Sequence, residues 1–103
     1  MPKIGNKALI SPRVWPHHDE EEKNLVIEVE LPGVSKDDVK LEMTDEGFCV
    51  TGERPEFIYR ACYKFLHDVE FGKAGAKYNN GLLVITVPFQ KTRSPVEVEI
   101  EEV

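Results

Sequence analysis

The chain has 103 residues and a mass of 11.7 kDa, which is enough for one domain with one hydrophobic core. Its 13 basic and 19 acidic residues give a net charge of −6, and no local cluster of Lys and Arg offsets it. A net anion repels phosphate backbones, so nucleic-acid binding is not expected. No apolar run approaches the roughly 18 residues of a membrane-spanning helix, so no membrane partner is expected either.

The N-terminal residues predict an irregular start. Residues 1–11 show no sustained period, which is typical of a loose arm or a short edge segment. Pro12 and Pro16 exclude a helix interior and favour an edge strand near residues 13–15. The acidic run at 19–22 is interpreted as a solvated turn, with a metal site shared with His17 and His18 as the alternative.

The rest of the chain alternates apolar and polar residues with the period of a β-strand. The predicted strands are 25–31, Val39–Met43, 48–51, 57–65, 76–78 and 82–87. Asn80-Gly81 predicts a tight hairpin turn, because both residue types tolerate positive φ. Six or seven short strands with no convincing helix predict an all-β, antiparallel, immunoglobulin-like sandwich.

Sequence motifs for chemistry are missing. The glycine-rich segment 72–76 lacks the spacing of a phosphate loop and is interpreted as a linker. The three histidines and two cysteines do not make a complete zinc-binding set. Nothing in the sequence would activate a Cys–His nucleophile pair. We therefore expect no enzyme activity, no metal and no cofactor.

The two cysteines are expected to be ordinary thiols. Cys49 and Cys62 could face each other across a hairpin closed near residues 55–56, on the side away from the aromatic residues. A disulfide or a metal site remains as the alternative. Two cysteines are too few for a disulfide scaffold, and the first ten residues lack the apolar stretch of a secretory signal. Together these features predict a cytoplasmic location.

Three segments, in this order, resemble the small heat shock protein family, whose domain is the Hsp20 or α-crystallin domain. Residues 29–34 read Val-Glu-Leu-Pro-Gly-Val, similar to the family's LPGV strand end. Residues 50–54 read Val-Thr-Gly-Glu-Arg, similar to I-S-G-E-R. Residues 76–83 fit the signature A-x-x-x-n-G-v-L, with Leu in place of Val. The resemblance covers residues 12 to 89 and implies a short, atypical, prokaryotic member.

The resemblance implies an ATP-independent holdase chaperone that binds exposed apolar segments of unfolding proteins and prevents their aggregation. It divides the chain into an N-terminal arm (1–11), an α-crystallin domain (12–90) and a C-terminal extension (91–103). The implied partners are unfolded client proteins and further copies of the chain, as a dimer or small oligomer, with a monomer as the alternative. A CS-type (p23-like) co-chaperone or a module for one specific partner is the alternative function.

The C-terminal extension resembles the family's I-x-I tail, which docks on a neighbouring subunit. The match is Val96-Glu97-Val98 or, in the other frame, Val98-Glu99-Ile100. An extended tail of this kind presents alternate side chains to two pockets and adds backbone hydrogen bonds. The alternative is that residues 96–100 form a last strand of their own domain.

The docking groove follows from the same resemblance. By analogy it lies between the Val39–Met43 strand and the strand at 75–78. Leu41 and Met43 would line this groove, and Lys77 would lie on its rim.

The resemblance also bears on dimerisation. Relatives carry a long loop after the Gly-Glu-Arg motif that swaps onto a partner, and residues 55–56 are too short for it. A dimer would instead pair the 57–65 strands edge to edge, through Tyr59, Ala61 and Tyr63.

The 57–65 strand departs from the family's sequence pattern, which weakens the analogy with the family's dimer interface. The family often has Phe-x-Arg-x-Phe in this strand, and alignment on Tyr63 puts Ala61 at the arginine's place. Arg60 is one residue off and is therefore expected on the opposite face.

Overall fold

The computed structural model describes residues 3–90 and 97–103, and in these residues the chain forms nine β-strands and two single-turn 3-10 helices. The strands are β1 (Lys3–Ile4), β2 (Lys7–Ile10), β3 (Val14–His18), β4 (Asn24–Glu30), β5 (Val39–Met43), β6 (Gly47–Glu53), β7 (Phe57–Lys64), β8 (Gly75–Asn79) and β9 (Leu82–Pro88). The 3-10 helices are Lys36–Asp38 and Phe71–Lys73. None of the described helices has the length and apolar character needed to cross a bilayer.

The strands form two sheets. One has the order β1-β2-β7-β6-β5 and the other β3-β4-β9-β8. Every pair of neighbours is antiparallel except β2 and β7, which run parallel. The prediction of an all-β, antiparallel sandwich is confirmed.

The core lies between the sheets and follows the alternation of the sequence. The fully buried side chains are Ile27, Val29, Leu31, Val50, Ile85 and Val87. Successive side chains of a strand point to opposite faces, so β4 places Ile27 and Val29 inward and its glutamates outward. Each such side chain contributes about 1.5–3 kcal/mol when it is buried. The core is therefore the main source of stability.

A two-residue turn joins β8 to β9, as predicted. Asn80 and Gly81 have φ values of 47° and 84°, which is the backbone of a type I′ turn. Gly81 is also required by close packing, because a Cβ there would lie 3.1 Å from the Cα of Pro32. The Leu31 amide donates to the Gly81 carbonyl oxygen at 2.6 Å. The turn thus reverses the chain and holds the end of β4.

Tyr78 of β8 holds the segment that follows β4. Its hydroxyl donates to the Val34 carbonyl oxygen at 2.6 Å and lies 3.1 Å from the Leu31 carbonyl oxygen. Burial raises the pKa of Tyr78 above its usual value of 10.0, because desolvation disfavours the phenolate. The neutral hydroxyl is the form that makes these hydrogen bonds.

Arg54 completes this set of contacts. Its guanidinium lies where a side chain on Gly33 would be, and its Nη1 donates to the Pro32 carbonyl oxygen at 3.3 Å. Gly33 has a φ of 79°, a conformation that other residues adopt only with strain. All three family-like motifs therefore meet at one end of the sandwich. We call residues 31–34 and the groups that hold them the β4 junction.

Residues 3–10 form an edge segment rather than a loose arm. Strands β1 and β2 make a hairpin, and residues 8–10 pair with residues 57–59 of β7. Ile58 is only 4% exposed although it is not part of the main core cluster. It lies opposite Leu9 in the register, so the arm covers it.

Candidate functional site

Strands β5 and β8 are terminal strands that lie on the same side of the sandwich. The opposite side is identified by Pro16 of β3 and Tyr63 of β7, which line one cavity. Counting strands away from that side, the first sheet passes from β7 through β6 and ends at β5. The second sheet passes from β3 through β4 and β9 and ends at β8. Each of these strands therefore has one edge that pairs with no other strand of the described chain.

The predicted groove residues divide into two kinds. Leu41 and Met43 are half-buried and pack against the core. Lys77 is exposed and alternates with Tyr78, which faces inward, so Lys77 lies on the outer face of β8. Sequence reasoning missed Val39 and Tyr78, which also pack against the core from these strands. The signal for Val39 was its position two residues before Leu41, and the signal for Tyr78 was its position two residues after Ala76. Residues two apart in a strand share one face.

The described part of the tail pairs with no strand of the described chain. Residues 97–103 contain no strand, so the alternative of a last strand over 96–100 is not seen in that part. The side chains of Val98 and Ile100 are 77% and 92% exposed. Val96 lies outside the described residues.

The predicted dimer strand is partly occupied by the chain's own arm. Tyr59 and Ala61 pack against the core, and Tyr63 stacks on Phe48 with ring centroids 5.8 Å apart. The side chains thus face the sandwich. The backbone edge at 57–59 pairs with β2, whereas residues 60–64 have no strand on that side in the described chain.

The cavity lined by Pro16 and Tyr63 lies between β3 and the end of β7. It has a volume of about 370 Å³ and is lined mainly by apolar groups, including Leu25, Phe48 and Phe89. Leu66 stands at its mouth and is 91% exposed. We call this space the β3–β7 cavity.

The free edge of β3 is poorly suited to accept another strand. The Arg13 carbonyl oxygen accepts from the Glu30 amide, and the Asp19 amide donates to the Asn24 carbonyl oxygen. The odd-numbered residues of β3 therefore form the hydrogen-bonded pairs with β4. The backbone groups of the even-numbered residues, including Pro16, point away from β4 toward the free edge. Because proline has no N–H, this edge lacks a central donor.

The histidines and the acidic run do not form a metal site. His17 contacts Glu28 at 2.9 Å, and His18 packs edge-on against Phe89. The described residues contain no group of three side chains suited to hold a metal. The interpretation of residues 19–22 as part of a turn is confirmed, because residues 20–21 form a turn that the Glu22 amide closes by donating to the Asp19 carbonyl oxygen.

Asp19 organises this turn through its carboxylate. The side chain accepts hydrogen bonds from the Asn24 side-chain amide at 2.8 Å and from the Lys23 backbone amide at 2.8 Å. The Asn24 hydrogen bond lowers the pKa of Asp19 from its usual value of 3.8. The carboxylate therefore stays charged and acts as a structural acceptor.

The expectation of ordinary thiols is wrong. Cys49 and Cys62 form a disulfide, and neither cysteine is free. They lie directly opposite each other in the antiparallel register of β6 and β7, with Cα atoms 4.1 Å apart. The sequence suggested that they face each other, but composition alone argued for a reducing environment.

Comparison with known proteins gives the family. The model of the Hsp20/alpha crystallin family matches residues 17–101. The "Probable 15 kDa heat shock protein" of Leptospira interrogans is 28% identical over 107 residues, covering 90% of this chain and 78% of that protein. The chain therefore belongs to the Hsp20/alpha crystallin family, and the predicted membership is confirmed.

Solved structures agree in fold. Heat shock protein 16.0 from Schizosaccharomyces pombe superimposes with a TM-score of 0.69 at 22% identity, covering 89% of this chain and 99% of that one. A small heat-shock protein from Xylella fastidiosa gives 0.68 at 17% identity, covering 88% and 96%. Members of this family are non-enzymatic, ATP-independent chaperones. The prediction that the chain is not an enzyme is confirmed by its family, and the small heat shock protein interpretation prevails over a CS-type co-chaperone.

Proposed function

We propose that this protein is a holdase that binds exposed apolar segments of unfolding proteins and keeps them from aggregating. The family match over residues 17–101 carries the proposal. Two uncovered apolar surfaces support it: the edge formed by β5 and β8, and the β3–β7 cavity with Leu66 at its mouth. Burial of a client's apolar surface there contributes about 25 cal/mol per Å².

The tail docks in the groove between β5 and β8 in this proposal. Val98 and Ile100 alternate with glutamates, so one face of the extended tail is apolar. That face suits Leu41 and Met43, while the glutamates suit Lys77 on the rim. In the alternative frame, Val96 and Val98 are the two apolar residues that dock. The roughly seven residues between Pro88 and Val96 span about 23–25 Å when extended, which reaches the same or a neighbouring domain.

Tail and client compete for the same surface under this proposal. A docked tail lowers the affinity for clients, and release of the tail exposes the groove. The switch therefore needs no nucleotide, because exchange of one apolar segment for another has a small net free energy.

The holdase proposal is tested by heating a model client and recording light scattering. A stoichiometric amount of the chain should suppress the scattering. If scattering is unchanged, the proposal fails. Recovery of one stoichiometric partner from a pull-down, with no effect on aggregation, would favour a specific interaction module instead.

A matched pair of variants distinguishes client capture at the β3–β7 cavity from client capture at the groove. Leu66→Asp changes a side chain that is 91% exposed at the β3–β7 cavity, so the fold should persist. Gly72→Asp, at an exposed position where a Cβ has no heavy atom within 4 Å, is the control for one added negative charge. Loss of client protection with the first variant alone assigns capture to the cavity, and equal protection by both assigns capture to the groove.

Self-assembly through β7 is the second part of the proposal. The edge at residues 60–64 is available for a second copy, and Tyr59, Ala61 and Tyr63 support the strand from the sandwich side. Because β2 occupies residues 57–59, a longer β7–β7 pairing requires the arm to move away.

We further propose a cytoplasmic location. Membership of the Hsp20/alpha crystallin family is the observation that supports it. The two cysteines do not support this location, because they form a disulfide rather than the free thiols expected in a reducing environment. Fractionation of cells that express the full chain with a C-terminal epitope tests the location.

A further inference from the structure

We infer that Cys49 and Cys62 form a thiol–disulfide exchange site for small anionic thiols and disulfides of the glutathione class. The two residues are paired in register across β6 and β7 with a sequence separation of 13. The inference does not rest on the proposed holdase activity, since thiol–disulfide exchange at this bond requires no client protein.

The bond lies on the solvent side of its sheet. Cys49 alternates with Phe48 and Val50, which are buried in the core, so its side chain points outward. Cys62 is exposed and Cys49 is half-buried. Both line an open depression of about 590 Å³. A small thiol can therefore reach the sulfur atoms, and exposed disulfides are the ones that exchange readily.

The two sulfur atoms differ in their charged neighbours. Arg60 and Lys64 lie two residues on either side of Cys62 on the same face of β7, and both line the depression. Glu42 of β5 lies directly opposite Cys49. The cations attract an anionic thiol toward Cys62, whereas the carboxylate repels it from Cys49. Cys62 is therefore the sulfur that is attacked first.

The reaction balances with two molecules of glutathione. The first thiolate attacks the Cys62 sulfur, forms a mixed disulfide and releases Cys49 as a thiolate, which takes a proton from solvent. The second thiolate attacks the glutathione sulfur of that mixed disulfide, so Cys62 leaves as a thiolate and is protonated. The protein disulfide gains two electrons, and one glutathione disulfide forms. Glutathione disulfide drives the same steps in reverse.

The first experiment counts thiols in the folded full chain by alkylation and mass spectrometry. Protein equilibrated with glutathione disulfide should contain no alkylatable thiol, and millimolar reduced glutathione should release two. Two thiols under the oxidising condition would overturn the inference. So would a bond that reduced glutathione leaves intact, because the pair would then be a permanent crosslink. Neither readout depends on chaperone activity.

The second experiment compares single variants with glutathione disulfide as the probe. Cys49→Ser leaves Cys62, and Cys62→Ser leaves Cys49, so the two variants are controls for each other. Cys62 should form the mixed disulfide roughly two- to tenfold faster because of its exposure and its cationic neighbours. Lys64→Gln in the Cys49→Ser background should slow it, whereas Lys40→Gln should have a smaller effect. Equal rates for the two lone thiols would overturn the assignment of Cys62.

A third readout is thermal stability. Reduction should lower the melting temperature by on the order of 10 °C, because the bond closes a loop in the unfolded chain. The double Cys49→Ser, Cys62→Ser variant should melt like the reduced protein and be insensitive to glutathione. A melting temperature of the double variant that still responds to glutathione would show that the effect lies elsewhere.

Discussion

The β4 junction and the free edges of the sandwich differ in what their backbone contacts. The junction is held by contacts within the chain, whereas the free edges have none to another strand of the described chain. At the junction, glycines and a tyrosine hydroxyl bring residues 31–34 into contact with two other parts of the chain. At β5, β8 and residues 60–64 of β7, the described chain leaves strand edges unpaired. Contacts at the junction therefore add to the stability that the core provides, whereas the edges are open to other chains. Substitutions at the junction should change the free energy of unfolding, whereas changes at the edges should alter the mass in solution.

The largest expected effect on stability is at the junction turn. Gly81→Val places a β-branched side chain at a φ of 84° and against the backbone of Pro32. The expected loss is about 3 kcal/mol of unfolding free energy, from backbone strain and overpacking. Urea titration measures it. Gly72→Ala is the control, since a Cβ there has no heavy atom within 4 Å. Equal losses for both variants would contradict the role of the junction.

Tyr78→Phe should have the next largest effect. It removes the donor to the Val34 carbonyl oxygen, at a cost of about 1–2 kcal/mol. Because the pKa of Tyr78 is raised, its contribution is fully present below pH 10 and is lost as pH rises through the folded-state pKa. Unfolding titrations at neutral and alkaline pH measure both effects. The variant should show a weaker alkaline decline than the parent, and an identical decline would refute this role for the phenol.

Removal of residues 1–10 should cost less stability and change assembly. The deletion uncovers Ile58 and the edge at 57–59, with an expected cost of about 1 kcal/mol. The full β7 edge then becomes available, so the dimer fraction should rise in light scattering. Lys7→Gln is the control, because it loses only the surface ion pair with Glu53 and keeps the strand. An unchanged mass for the deletion would argue against competition between arm and partner.

The smallest effect on stability is expected in the tail. Val98→Asp with Ile100→Asp changes exposed side chains, so unfolding should shift by less than about 0.5 kcal/mol. If the tail docks on other copies, the mass in solution should fall for this variant and for a chain cut after Ser94. Glu99→Gln, between the two apolar residues, should preserve the mass. A constant mass for all of these chains would exclude the tail from assembly.

The strands and the hairpin turn were predictable because their signals are local. Alternation in β4 and β9 identified the inward face, and Asn80-Gly81 identified a turn with positive φ. The pairing of β2 with β7 was not predictable, because only three residue pairs hold it and they are far apart in sequence. The anchoring by Tyr78 was missed for the same reason, since its hydroxyl contacts residues 44 and 47 positions away.

The candidate site was predicted in part. The sequence placed Leu41 and Met43 on a strand that proves to be terminal, but terminal position is a property of the sheet order. Cys49 and Cys62 show the same limit. Their strands indicated that they could meet, yet the register of β6 on β7 decides whether two sulfur atoms lie directly opposite each other.

The sequence by itself determined the class of fold and the composition of the core. A period of two separates a buried face from a solvated face whatever strand lies alongside. The tertiary structure alone decided which edges remain free, where the arm attaches and that the cysteines bond. These features depend on which distant segments become neighbours, and that choice follows from the packing of the whole sandwich rather than from any local pattern.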